Sequence, residues 1–319
     1  MTQQLLFPQA SSIALILGGA GFIGRNVCRE MSSRGFEVHA IGHGKLSHQE
    51  MEEYGIFRWV EADITLENLC NAYTTEVPDI VIHCCGSGSV VNAFHEPLVD
   101  FDRSVSTVMV MLEFARRQPR PLRLVLISSA AVYGNQGDLD INENSRLNPV
   151  SPYGYNKVMA EMLCESYSQF FNIKTRIVRL FSVYGEGLRK QLLWDGLNKL
   201  KRGEFSFFGT GSEIRDWIHV SDASRLVATV ATYNGDLNIV CNGGYVKATT
   251  REILTMLAQA AGSSLLPEFS GEIHLGNPDR LTADTSNTLE QLGFSGEVAL
   301  KEGIQRYLKW FNCLRGIVQ

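Results

Sequence analysis

Ile13-Ala-Leu-Ile-Leu-Gly-Gly-Ala-Gly-Phe-Ile-Gly24 is the stretch that decides the fold. Its first five residues are apolar and uncharged, which reads as a strand buried on both faces, as in a parallel sheet. Gly18, Gly19, Gly21 and Gly24 then satisfy two overlapping patterns, Gly-x-Gly-x-x-Gly from 19 and Gly-x-x-Gly-x-x-Gly from 18, and the run from Phe22 to Arg34 can be helical. Strand, glycine turn and helix together are what a dinucleotide site requires. Backbone must come close to a pyrophosphate, and a helix N-terminus must turn its unpaired N–H groups toward it. Gly18, Gly21, Phe22, Ile23 and Gly24 are therefore candidate cofactor contacts; the alternative is a turn that uses glycine only for its positive φ.

Outward from this stretch, short apolar runs recur with helical segments between them: Glu37 to Ile41, Phe57 to Val60, Asp79 to Cys84, Leu122 to Ile127 and Lys174 to Leu180. Strands spaced by helices mean βαβ units, so the fold class is α/β with a doubly wound parallel sheet. Glu96 to Arg117 has apolar residues at close to a 3.6 period and reads as one long helix, stopped by Pro119 and Pro121. From about Val183 the pattern shifts to short elements and turn clusters such as Gly209-Thr210-Gly211. A dinucleotide-binding domain over 11–182 and a smaller α/β substrate lobe over 183–319, with segments able to interleave, would leave a cleft at the strand ends.

The end of the second strand bears on the cofactor. An acidic residue about 20 positions past the glycines would bind the adenosine ribose of NAD, but position 42 is glycine, followed by His43 and Lys45. A cationic pair without a carboxylate suits a 2′-phosphate, so NADP is expected over NAD, although no arginine stands there; the alternative is that both are polar loop residues only. Cys85, at the end of the fourth strand, and the following Gly86-Ser87-Gly88 lie where backbone could approach the cofactor again; the alternative is a plain connecting loop.

Composition excludes several classes. The chain has 319 residues, 45% of them hydrophobic, and a net charge of −5 with no long basic run. Neither a nucleic-acid surface nor an anionic-membrane surface is expected. The N-terminal apolar run is too short to span a bilayer, and Met1 to Ser12 lacks the basic start of a secretory signal, so a cytoplasmic protein is expected. Seven cysteines without a Cys-x-x-Cys pair read as reduced, mostly buried thiols, and seven histidines show no metal-ligand spacing.

Catalytic candidates lie at the C-terminal end of the fifth strand and just beyond. Ser128 and Ser129 reach the sheet edge where ligands of open α/β folds bind. Tyr153 and Lys157, four apart on a helix running from Tyr153 to Phe170, share one face. A phenol is a poor base at neutral pH, with a pKa near ~10. A cation held beside it favours the phenolate.

With these residues the chain resembles the extended short-chain dehydrogenase/reductase family, in particular its nucleotide-sugar epimerases, 4,6-dehydratases and 4-keto-sugar reductases. The likeness runs from about Ile13 to Phe311. It rests on the glycine turn, Asp63-Ile64, Asp79-Ile-Val-Ile-His83, Ile127-Ser-Ser-Ala-Ala-Val-Tyr-Gly134, Ser151-Pro-Tyr-Gly-Tyr-Asn-Lys157, Val183-Tyr-Gly185, Arg215-Asp-Trp-Ile-His-Val220 and Ala283-Asp284. It implies a Rossmann domain and a nucleotide-diphospho-sugar substrate. Asp63 and Ile64 would be adenine contacts, Ser129 the partner of the sugar's C4 oxygen, Tyr153 the base, and Lys157 the residue that binds the nicotinamide ribose. Phe208 would contact the nucleobase and Arg215 clamp the diphosphate, against the alternative of a surface ion pair with Asp216 or Asp222.

Departures narrow the reaction. Ala130 and Ala131 stand where the dehydratases carry Asp and Glu, which argues against dehydration, and the segment lacks the Cys of the 3,5-epimerising reductases. Ser182 replaces a common Asn, and His274 falls where a second diphosphate arginine often lies, with Arg280 a possible substitute. The implied reaction is hydride transfer at a hexose carbon, C4 first, by a 4-epimerase or a 4-keto-sugar reductase. A catalytically silent dinucleotide-binding scaffold is the rival class. Relatives pair their equivalents of the helices from Glu96 and Tyr153 across a two-fold axis, so the resemblance also implies a homodimer.

Overall fold

The computed structural model describes residues 12–86, 88–235, 239–272, 278–314 and 316. Six strands, β1 (Ile13–Leu17), β2 (Glu37–Gly42), β3 (Arg58–Glu61), β4 (Ile80–His83), β5 (Arg123–Ser129) and β6 (Thr175–Leu180), run parallel in the spatial order β3-β2-β1-β4-β5-β6. Alternate residues of each strand face opposite layers. Ala14, Ile16, Ile80, Ile82, Val125 and Val178 enter one core, and Leu15, Leu17, Val81, Leu124, Leu126 and Ile177 the other. This is why both faces had to read as apolar. Each fully buried Leu or Ile contributes about 1.5–3 kcal/mol.

Helices cover both faces: α1 (Phe22–Ser33), α2 (His48–Glu53), α3 (Leu66–Ala72), α4 (Val90–His95), α5 (Pro97–Phe101), α6 (Thr107–Arg116) and α7 (Pro152–Phe171). The helix expected over Glu96 to Arg117 is present as one continuous helical run from Pro97 to Arg116, with Pro97 in its first turn, but a π-helical turn over Asp102–Ser106 joins α5 to α6. The residue inserted there rotates the apolar stripe, so Leu98 and Phe101 before it are exposed while Val105, Val108, Leu112 and Ala115 are buried.

Beyond β6 the chain leaves the sheet through β7 (Ser182–Tyr184), α8 (Gln191–Lys201), β8 (Ser206–Phe207) and β9 (Ile214–His219). It then returns. Helix α9 (Val220–Thr232) packs on α1, held by Arg34 donating to Arg225 O and Thr229 Oγ1, and β10 (Val240–Gly243) adds a seventh parallel strand beside β6. The boundary expected near Val183 is thus crossed by segments of the larger unit. The smaller lobe takes β11 (Val246–Thr249), α10 (Thr250–Ala260), β12 (Glu268–Phe269), β13 (Arg280–Leu281) and α12 (Leu300–Leu314), while α11 (Ser286–Leu292) lies against β10. Its core is aromatic: Phe205, Phe207, Trp217, Tyr307 and Phe311 meet Leu193, Leu197, Ile253 and Leu257. Among the described residues no helix is long and apolar enough to cross a membrane.

Candidate active site

The glycine turn adopts the conformation its composition demands. Gly18 has φ +81° and donates its N–H to Ile41 O at 2.8 Å, while Gly21 donates to Gly18 O at 3.0 Å. A Cβ on Gly24 would fall 2.1 Å from Gly18 O, so only glycine lets α1 start against the turn. Helix α1 begins at Phe22 with Gly21 as its cap residue, no side-chain cap and no acidic residue in its first turn. Its first amides and the positive end of its dipole are left for an anion. Gly21, Phe22 and Ile23 line a cleft of about 800 Å³ between the sheet edge and the smaller lobe.

Ser129, Tyr153 and Lys157 line that same cleft. Ser129 ends β5, and its Oγ accepts from Ala131 N at 3.2 Å. Helix α7 is started by Ser151, whose Oγ accepts from Gly154 N at 3.1 Å, and by Pro152 in its first turn. A Cβ on Gly154 would lie 2.5 Å from Ala131 O, so glycine there seats the first turn of α7, and Tyr153 with it, on the chain just after Ser129. One turn on, Lys157 is buried. Its Nζ donates to Ile127 O at 3.0 Å and lies 5.9 Å from the centroid of the Tyr153 ring. Beneath it His83 is buried on Thr107 Oγ1 at 2.7 Å, its pKa pushed down to about 3 by burial and by Lys157. A neutral imidazole leaves the Lys157 ammonium without a competing cation from below.

The loop after β4 closes the cleft on the other side. Cys84, Cys85, Gly86 and Gly88 line it; Ser87 lies outside the described residues. A Cβ on Gly86 would stand 3.4 Å from Lys157 Nζ, so this glycine gives backbone access beside the lysine. Burial pushes the Cys85 thiol up to about 12, which keeps it protonated.

The region beyond β2 differs from expectation. His43 and Lys45 are exposed beyond β2, but His43 Nε2 lies 3.2 Å from Asp63 Oδ1. The cationic pair is therefore not free of a carboxylate, and the charge basis for NADP is corrected accordingly. Ile64, beside Asp63, packs partly buried on the core next to β1.

Of the substrate candidates, Ser182, Phe208 and Arg215 line the cleft. The surface ion pair considered for Arg215 is not formed by either aspartate. Asp216 accepts from Ala283 N at 3.0 Å and from Tyr245 N, whereas Asp222 takes Arg225 at 2.9 Å and the amides of Glu297 and Val298. Arg215 Nη1 donates to Ile214 O at 2.8 Å, and burial lowers its guanidinium pKa. Arg280 is a correction. Its Nη2 is held by Asp140 Oδ1 at 2.9 Å, a carboxylate also taken by Lys247 Nζ and Thr282 Oγ1, and it does not line the cleft. His274 lies outside the described residues.

Sequence reasoning missed Gln191, which lines the cleft at φ +67° and donates from Nε2 to Gly88 O at 3.1 Å, tying α8 to the β4 loop. It also missed Glu161 and Arg179 behind the cleft. The signals were a carboxylate four residues after Lys157 and an arginine, Arg179, between the apolar Val178 and Leu180 of a buried strand.

A sequence model of the NAD dependent epimerase/dehydratase family matches residues 14–242. The UDP-glucose 4-epimerase of Mycolicibacterium smegmatis is 28% identical over 312 residues, covering 93% of this chain and 98% of that protein. A crystal structure of UDP-glucose 4-epimerase from Thermotoga maritima with UDP-glucose superposes with a TM-score of 0.85 at 24% identity, over 95% of this chain and 99% of that one. MoeE5, solved with UDP-glucuronic acid and NAD, superposes with a TM-score of 0.85 at 26% identity, over 95% of this chain and all (100%) of that one.

Proposed function

The chain belongs to the NAD dependent epimerase/dehydratase family, and from that premise we propose that it is an epimerase that retains NAD and inverts C4 of a hexose carried on UDP. One observation carries the reading: Ser129, Tyr153 and Lys157 line a single cleft that opens onto the uncapped N-terminus of α1. The residues fit the cofactor. The amides of Phe22, Ile23 and Gly24 would hold its pyrophosphate, Asp63 and Ile64 its adenosine, and Lys157, with the Gly86 backbone alongside, its nicotinamide ribose. When bound, NAD takes up a hydride from the sugar and returns it. Asp63 beside His43 supports NAD over NADP, because a carboxylate there repels a 2′-phosphate, and the NAD bound in MoeE5 supports it too.

The chain's own residues then have distinct tasks. Tyr153 takes the proton from the C4 hydroxyl as the ketone forms and gives it back as the alcohol is restored, while Lys157 supplies positive charge beside the phenol. Ser129 hydrogen-bonds the C4 oxygen throughout. Arg215 anchors the diphosphate and Phe208 the nucleobase, so the sugar turns about a fixed end. Ala130 and Ala131 offer no acid or base to expel a neighbouring hydroxyl, which is why the sugar is inverted and not dehydrated. The outward side chains of α5 to α7, among them Leu98, Met162 and Phe170, each at least 61% exposed, support a homodimer through these helices.

The test is to incubate purified protein with UDP-glucose, UDP-galactose or their uronic-acid counterparts without added cofactor. Interconversion without net redox change, and NAD released from the denatured protein, is the expected result. A requirement for added NADPH with consumption of a 4-keto sugar would establish the reductase instead.

A further inference from the structure

We propose that Glu161 and Arg179, a buried ion pair behind the cleft, are positioning residues that set Ser129 against Tyr153; this rests on the C4 chemistry proposed above. Tyr153, Lys157 and Glu161 follow each other at four-residue intervals on α7, so they share a face. Lys157 grips Ile127 O, and Glu161 Oε1 accepts from Ser128 Oγ. Two successive turns of α7 are thus pinned to two successive residues of β5, and the next residue of that strand is Ser129.

Arg179 completes the arrangement from β6, where it is paired with Ser128 in the sheet register. Its guanidinium engages Glu161 as a fork, Nη2 to Oε2 at 2.7 Å and Nε to Oε1 at 3.1 Å. Nη1 turns outward to Tyr133 OH at 2.7 Å and Glu143 O at 2.9 Å, and Tyr133 OH donates in turn to Asn242 Oδ1 at 2.8 Å. One pair therefore joins α7, β5, β6, β10 and the loop leading from β5 to Tyr153. Both side chains are only about 7% exposed. Stability does not explain such a pair, since a buried ion pair is often matched or bettered by apolar residues of the same volume. Geometry does: a displacement of about 1 Å at a reacting group costs on the order of 10²-fold in rate.

The experiment measures steady-state kinetics, thermal melts and bound NAD for the intact protein and its Glu161→Gln, Ser128→Ala and combined Glu161→Met, Arg179→Met variants. Glu161→Gln is expected to lower kcat about 10- to 100-fold with KM within about threefold, and full NAD content. Ser128→Ala removes the tie to β5 alone, so it should lower kcat severalfold with a melt close to wild type. If Glu161→Gln fails to fold, the double methionine variant decides: a stable but slow enzyme supports positioning, and a stable enzyme at full rate overturns it. Folded, NAD-loaded Glu161→Gln protein at wild-type kcat also overturns it. Wild-type protein that interconverts no UDP-sugar overturns the C4 reading and the positioning role with it, an outcome visible before any variant is made.

Discussion

Tyr153 and Lys157 were legible as a pair because a helix puts residues four apart on one face whatever surrounds it, and α7 does so here. Ser129 was legible for a similar reason: a short apolar strand delivers its last residue to the sheet edge. Tyr153→Phe keeps the ring and removes the hydroxyl, so turnover should fall about 10²- to 10⁴-fold. Bound NAD, measured by mass after denaturation, should remain. A variant that epimerises at the wild-type rate would show that another group moves the proton. Arg280 could not be judged in the same way. Its guanidinium was open to a phosphate as far as sequence goes, and only the meeting of β13 with the loop carrying Asp140 commits it elsewhere.

At the scale of the element, β1, the glycine turn and α1 form a unit whose parts depend on contact with one another. Gly24→Ala places a methyl group where Gly18 O stands, and the backbone must open to admit it. The expected result is protein purified with little or no NAD and a lowered melting temperature, read by dinucleotide mass and calorimetry. Full NAD content in a folded Gly24→Ala protein would contradict the placement of the pyrophosphate. The run from Glu96 to Arg117 adds a refinement. Its apolar spacing fitted one helix, and the chain is helical from Pro97 to Arg116, but the π-helical turn at Asp102–Ser106 carries an extra residue and leaves Leu98 and Phe101 facing outward. A period read from sequence assumes an evenly wound helix, and one inserted residue shifts the face by about 100°.

At the scale of the molecule, Asp140 joins the two units by holding Lys247, Arg280 and Thr282, while the neighbouring Ile141 N donates to Thr282 O at 2.8 Å. Although its partial burial opposes ionisation, the hydrogen bonds from Lys247, Thr282 and Arg280 prevail and hold its carboxyl at about 2, below the ordinary value. A depressed carboxyl stabilises the fold above its unfolded pKa of about 4 and loses that contribution as pH falls through the folded value. Asp140→Asn should therefore melt lower than wild type at pH 7, and the gap should close between about pH 4 and 2; an unchanged gap would mean that charge is not what ties the units. The exposed apolar side chains of α5 to α7 lead to a second expectation, that sedimentation gives a dimer and that Leu98→Glu with Phe170→Glu gives a folded monomer. The sequence by itself determined the parallel α/β class, the glycine turn before α1 and the face shared by Tyr153 and Lys157, because each is set by local periodicity and by steric limits within a few residues. Only the tertiary structure decided that β10 returns to the sheet, that Asp63 meets His43, that Asp140 captures Arg280, and that Glu161 and Arg179 meet behind Ser129. Those are contacts between residues from 18 to 140 positions apart, and no local pattern encodes which distant partner a charged side chain will find.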